Sequence, residues 1–331
     1  MLVHSSAPTR LDLAGGTLDI WPLYLFHAGA QTLNAAITIR AECTLLTSED
    51  GAWHLRSQDT GESLTIRNLE DTPEASRHRL VLRLLQHFKP EPVTVVTRSG
   101  SPVGAGLAGS SALNIAICAA LSRHTITSNT PESLMTLAAN LEAQVIGVPT
   151  GVQDYRPAMF GGIAAIEMGP TGITRLPIGV DPAELGSRIV LAYTGQSRDS
   201  GINNWEVVKR HIDGDQNVID LFDEIADVAR AMRVALETSA WKEVGRQLTR
   251  EWNLRKQLAP GLTTPMIDAL VGQGLKAGAW GTKICGAGGG GCLLFLTDPS
   301  NVSSLRRTLE AAGATILDIQ IDVDGLQVEV R

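Results

Sequence analysis

Between Leu33 and Leu46 apolar positions alternate with polar ones: Ile37, Ile39 and Leu45 are interleaved with Thr and charged residues, the period-two pattern of a half-exposed strand. A shorter strand pattern at Arg10 to Ala14 precedes it. Pro92-Val-Thr-Val-Val-Thr97 is a β-branched run followed by glycine-rich sequence and then by the small and aliphatic stretch Leu113 to Leu121. That stretch is too long for a typical strand, so the order reads strand, loop, helix. Thr130-Pro131-Glu132 predicts a helix start, with Thr as N-cap, Pro at the first helical position and an acid in the first turn. Leu134, Leu137, Leu141 and Val145 mark one face of it, Glu142 lies at the rim of that face, and the helix must stop in Gly147-Val148-Pro149-Thr150-Gly151.

Past Gly161-Gly162 the chain turns strand-rich, and Arg188 to Tyr193 reads as a buried strand. Val218, Leu221, Phe222, Ile225, Val228, Ala229 and Met232 keep helical spacing, as do Trp241, Val244, Leu248 and Trp252. Further helices are expected from Thr264-Pro265 and near Ser303 to Ala312. Asp324-Gly325 is a type I′ signal and predicts a hairpin of the last two strands. No fixed-period repeat is visible.

At 331 residues the chain exceeds what one hydrophobic core usually supports, so two domains are expected, divided as 1–184 and 185–331. Apolar residues at 44% and charged ones at 19% suit a globular protein with a substantial core. A net charge of -7 without a long Lys/Arg run disfavours nucleic acid or an anionic membrane as partner, so an anionic ligand must be held by local donors. Cys43, Cys118, Cys285 and Cys292 form no Cys-x-x-Cys pair, and buried free thiols in a reducing cytoplasm are expected. The amino terminus has no signal-peptide pattern and no segment is apolar for long enough to span a bilayer, which points to a cytosolic protein.

Two glycine-rich segments carry candidate chemistry. Pro102-Val-Gly-Ala-Gly-Leu-Ala-Gly-Ser-Ser-Ala112 lies between a strand and the first turn of a helix, where free N–H groups and the positive end of the helix dipole form an anion site. Ser110 and Ser111 add hydroxyls able to bond phosphate or a hard cation. Gly104, Gly106 and Gly109 also satisfy the dinucleotide fingerprint, but the following strand ending in an acid is missing, and neither a Walker A loop nor a Gly-x-Ser-x-Gly elbow occurs. The second run, Gly286-Ala-Gly-Gly-Gly-Gly291, fits either a flexible linker or a backbone that must pass close to another group.

Three segments in order resemble the motifs of the GHMP kinases, the family of galactokinase, homoserine, mevalonate and phosphomevalonate kinases: Ala7 to Asp19, Pro102 to Ala112, and Lys283 to Cys292. Gly106-Leu-Ala-Gly-Ser-Ser-Ala-Leu, Gly151-Val-Gln-Asp-Tyr and Tyr193-Thr-Gly-Gln-Ser-Arg198 look most like the heptose 7-phosphate kinases and the related fucose kinase domain. The resemblance implies an α+β protein: a ribosomal-protein-S5-domain-2-like N-terminal domain and a ferredoxin-like C-terminal domain, with ATP and substrate in the cleft between them. The activity implied is ATP-dependent phosphorylation of a sugar or sugar phosphate, typically at the anomeric hydroxyl. Another alcohol acceptor, or a binding protein without catalysis, are the alternatives, and a homodimer is left open.

By the same resemblance Asp154 is the catalytic aspartate, and Arg10 the basic residue that keeps it ionised or stabilises the transferring phosphoryl group. Glu142 and Ser111 match the Mg²⁺ ligands. Pro102, Gly104, Ala105, Gly106, Leu107, Ala108, Gly109, Ser110 and Ser111 match the phosphate loop. Thr17, Asp19, Thr194, Arg198, Gly288 and Gly289 are the expected substrate contacts. Leu18 separates Thr17 from Asp19 where the heptose kinases join Thr directly to Asp, a departure that bears on the role of Asp19.

Overall fold

The computed structural model describes residues 1–70, 78–196, 201–286 and 288–331, with backbone alone at 201–203. The alternating segment forms most of a long strand, β2 (Gln31–Thr47), paired antiparallel along its length with β1 (Leu2–Ala14). Beyond the second half of β2 the sheet continues through β3 (Trp53–Ser57), β4 (Ser63–Ile66) and β5 (Val93–Ser99), in the order β2-β5-β3-β4 with β3 parallel to β5. Beyond its first half it continues through β6 (Ile163–Gly169) and β7 (Gly172–Pro177).

One face of this sheet is covered by α1 (Arg79–Phe88), α2 (Gly109–His124), α3 (Pro131–Ile146) and α4 (Tyr155–Phe160), with Leu45, Val95, Leu84, Ile115 and Leu141 in the shared core. Helix α2 touches β1, β2, α1 and α3, and for that reason lacks a polar stripe. The predicted limits of α3 hold: Ser133 N–H donates to Thr130 Oγ1 at 3.1 Å, and Gly147 closes the helix in the left-handed conformation at φ +75°.

A second, antiparallel sheet has the order β11-β8-β10-β9, formed by β8 (Ile189–Tyr193), β9 (Gly281–Ile284), β10 (Cys292–Leu296) and β11 (Thr315–Leu317). The short α5 (Pro182–Gly186) leads into it, and α9 (Pro265–Lys276) and α10 (Val302–Ala311) pack against it. The two sheets are joined by α7 (Gln216–Glu237) and α8 (Trp241–Leu258), and α6 (Gly201–Ile212) packs on α7. Helix α8 contacts both β9 and β1, and α7 contacts β1 and β2, so Phe222, Leu248 and Trp252 share one core with Leu11 and Leu33. Mixed helix and sheet in two layers of this kind is the expected α+β architecture. All four cysteines are buried and free.

The Asp324-Gly325 hairpin does not form. β11 joins β8 in the second sheet, whereas β12 (Gln327–Val330) crosses back to pair with β1. A turn dipeptide sets a local reversal but not the partners of its flanking strands. Here the reversal is held by Arg40 of β2, whose guanidinium pairs with Asp322 and donates to Gly325 O at 2.7 Å. Among the described residues no helix is long and apolar enough to cross a membrane.

Candidate active site

A cleft of about 530 Å³ opens where the end of β1, the loop before α2 and the β9–β10 connection meet. The loop reaches the cleft with Gly104 and Gly106 at positive φ and Ala108 left-handed at φ +59°, as the N-cap of α2. The first turn, Gly109 to Ser111, therefore presents N–H groups that have no intrahelical acceptor. Pro102, Ala105 and Leu107 also line the cleft.

Gly106 shows why this loop needs glycine. A Cβ there would lie 2.7 Å from the Cys285 carbonyl carbon and overlap its oxygen. The two glycine segments thus meet backbone to backbone, and Cys292 N–H donates to Ala105 O at 2.9 Å. Of the two readings of the second run, close approach is the one the structure shows for its described residues.

Glu142 reaches the helix start from α3. Its carboxylate is buried and accepts from Ser110 Oγ at 2.8 Å, Ser111 Oγ at 3.1 Å and Tyr155 OH at 2.7 Å. Burial pushes its pKa up, against these donors. A carboxylate and a hydroxyl beside a phosphate-binding turn are hard oxygen donors of the kind a divalent cation takes when phosphate and water complete its shell. Among the described residues no three His, Cys, Asp or Glu side chains gather as a metal cluster, so a cation here would need those outside ligands.

Asp154 sits at the N-cap position of α4, yet its side chain does not cap the helix. The carboxylate instead accepts from Arg10 Nε at 2.9 Å and lies 2.7 Å from Arg10 Nη2, with about a quarter of it (26%) exposed at the cleft. The buried Arg10 guanidinium also donates through Nη1 to Gly106 O at 2.7 Å. One side chain from β1 thereby ties Asp154 to the phosphate loop.

Asp19 is buried at 1% exposure beside the Gln153-Asp154 segment of the cleft, accepting from Thr17 N–H at 3.1 Å and Gln153 N–H at 3.0 Å. Its pKa is pushed up to about 7, first by burial and then by the nearby Asp154 charge. The inserted Leu18 points into the core with no exposure, so the extra residue is absorbed inward while Thr17 and Asp19 still line the cleft. Gly288 lines it as well. Gly289 is instead tied to Leu262 O by its N–H at 2.6 Å. Thr194 lies just past β8, outside the cleft lining among the described residues; its N–H donates to Gly291 O at 3.0 Å and its Oγ1 accepts from Gln196 N–H at 3.4 Å. Arg198 falls outside the described residues.

Sequence reasoning gave no role to four charged residues at this cleft, of which Asp12 and Arg255 line it. Asp12, Glu251, Arg255 and Lys283 are all buried: Lys283 Nζ is 2.8 Å from Glu251 and 3.2 Å from Asp12, and Arg255 Nη1 is 3.0 Å from Asp12. The signal was present for α8, because Glu251 and Arg255 fall at helical spacing from Leu248 on its apolar face; Lys283, in the short buried strand Gly281–Ile284, carried none.

A helix start built for an anion, an adjoining carboxylate and hydroxyl pair, and an arginine-bound aspartate in a cleft define a small-molecule phosphotransferase. The chain belongs to the GHMP kinases: the family's N-terminal domain matches residues 77–162 and its C-terminal domain residues 232–315. It is 32% identical to a mevalonate kinase from Thermococcus onnurineus, over 99% of each chain. It is 26% identical to a D-glycero-alpha-D-manno-heptose 7-phosphate kinase from Campylobacter jejuni, over 98% of each. The crystal structure of a D-glycero-D-manno-heptose 1-phosphate kinase from Bacteroides thetaiotaomicron shares the fold, with a TM-score of 0.81, 23% identity and 99% coverage of both chains.

Proposed function

We propose that this chain is an ATP-dependent kinase that transfers the γ-phosphoryl group to a hydroxyl of a sugar or sugar phosphate, the anomeric one on the pattern of the heptose and fucose kinases. The observation that carries the reading is the Arg10 guanidinium, which bonds Asp154 and the phosphate-loop carbonyl of Gly106 together. This fixes a carboxylate beside the turn that would hold the triphosphate, which is what an in-line transfer to an aligned hydroxyl requires. Asp154 would accept or orient the hydroxyl proton, and the Arg10 guanidinium would hold its carboxylate in place. The N–H groups that open α2 would hold the β- and γ-phosphates. Mg²⁺ bound between Glu142, Ser111 and the phosphates would neutralise charge on the transferred group. Thr17 and Asp19 would receive the acceptor's hydroxyls and Gly288 would border it, with Arg198 as a further proposed contact, whereas Gly289 and Thr194 lie outside the lining and are left out of the acceptor site.

The relatedness to a heptose 7-phosphate kinase over nearly the whole chain supports a sugar acceptor. Four free, buried cysteines agree with a reducing cytoplasm. The test is ADP release over a panel of sugars, sugar phosphates and mevalonate with Mg²⁺ present. Turnover is expected with a sugar or sugar phosphate, and turnover with mevalonate alone would transfer the assignment to an isoprenoid alcohol.

A further inference from the structure

We propose that Arg255, anchored by Asp12, Glu251 and Lys283, is a positioning residue that holds the acceptor segment Gly15–Asp19 against the second glycine run at Gly286 and so sets the spacing between acceptor hydroxyl and phosphate loop. This rests on the kinase reading above. Thr17 is the clue: a β-branched residue held in left-handed backbone at φ +79° persists only where its surroundings over-determine it.

Three contacts do so. Thr17 N–H donates to Asp19, Thr17 Oγ1 accepts from Arg255 Nη2 at 3.3 Å, and Gly15 N–H donates to Glu251 Oε2 at 3.0 Å. The segment is packed directly on the guanidinium, for a Cβ at Gly16 would lie 2.7 Å from Arg255 Nη1. The same Nη2 donates to Gly286 O at 2.9 Å, and Gly286 abuts Gly106, the carbonyl that Arg10 holds. A continuous path thus runs from the acceptor segment through Arg255 to the phosphate loop and Asp154.

Two acids and two bases close this network from β1, α8 and β9, so it spans both sheets without net charge. Burial alone would raise the Asp12 carboxyl, but Lys283, Arg255 and Arg10 outweigh it and hold it below its ordinary value, while burial drives Glu251 up. Asp12 therefore remains the charged anchor for Arg255. Lysine could keep the charge but not the fork that serves Asp12, Thr17 and Gly286 at once.

The experiment is Arg255→Lys, read by steady-state kinetics and by hydrogen exchange of segments 12–20 and 102–112. We expect kcat/KM for the acceptor to fall roughly 10- to 100-fold, with the ATP KM within about twofold of wild type, because misplacement of the reacting groups is the only loss. Exchange in 12–20 should speed up while that in 102–112 stays unchanged. A variant with lower melting temperature but wild-type kinetics and wild-type exchange at 12–20 overturns the proposal, since a merely structural residue would do that. If Arg255→Lys does not fold, Asp12→Asn/Lys283→Met takes its place: it replaces one buried ion pair with neutral groups, a change a core can tolerate, and must give the same signature. The exchange readout needs no acceptor, so a wild type that turns over no sugar would refute the substrate reading while the positioning role is still decided.

Discussion

Substituting Asp19 by Asn should flatten the pH dependence of stability. The folded Asp19 carboxyl is pushed up to about 7 by burial and then by Asp154, against the Gln153 N–H and Arg10, from an ordinary value of 3.8. A carboxyl raised in this way holds its proton more tightly folded than unfolded. Its contribution is complete below the unfolded pKa and is lost as pH rises through about 7. At about 1.4 kcal/mol per unit, the wild type should lose about 2 to 3 kcal/mol from this group between about pH 5 and 8, or roughly 3 to 4 °C in Tm for a chain of this length. Asparagine does not titrate, so this group's contribution to the slope disappears. The variant also loses a hydrogen bond, because one carboxamide oxygen replaces two carboxylate oxygens facing the Thr17 and Gln153 N–H groups. That costs about 1 kcal/mol at every pH and leaves the difference in slopes intact. Thermal melts of both proteins across this range measure it. Parallel loss of stability in the two would refute the claim that burial beside Asp154 controls Asp19.

Asp154→Asn should lower kcat by roughly 10²- to 10⁴-fold with little change in ATP KM, measured by ADP release; full activity would remove Asp154 from the proton step. It should also lower the Asp19 pKa, because the Asp154 charge raises it, and the stability profile of the variant should shift to lower pH accordingly. Glu142→Gln should raise the Mg²⁺ concentration needed for half-maximal rate by roughly tenfold or more, since a charged oxygen becomes neutral, and a Mg²⁺ titration checks this. Gly106→Ala combines left-handed strain of about 1 to 2 kcal/mol with overlap on the Cys285 backbone. A total loss of about 2 to 4 kcal/mol in urea unfolding is expected, together with a raised ATP KM.

The phosphate loop and α3 were legible because their signals are local. Thr130, Pro131 and Gly147 fix the ends of α3 whatever surrounds it, and three glycines before a helix start define an anion site without reference to the rest of the chain. The hairpin at Asp324-Gly325 misled for the complementary reason: its turn chemistry is local, but the partner of the last strand is β1, at the far end of the chain, and the turn itself is held by Arg40. Leu18 illustrates the same divide. As sequence it spoils a motif; folded, it sinks into the core and leaves Thr17 and Asp19 at the cleft.

What the sequence determined by itself was the kind of element at each motif, the ends of α3 and a family of phosphotransferases, since periodicity, caps and motif order lie along one dimension. What only the tertiary structure decided was which charges meet. Arg10 with Asp154, Glu142 with Ser110 and Ser111, and Arg255 with Asp12 and Thr17 are far apart along the chain, and each pairing is set by burial that leaves a polar group no nearer partner.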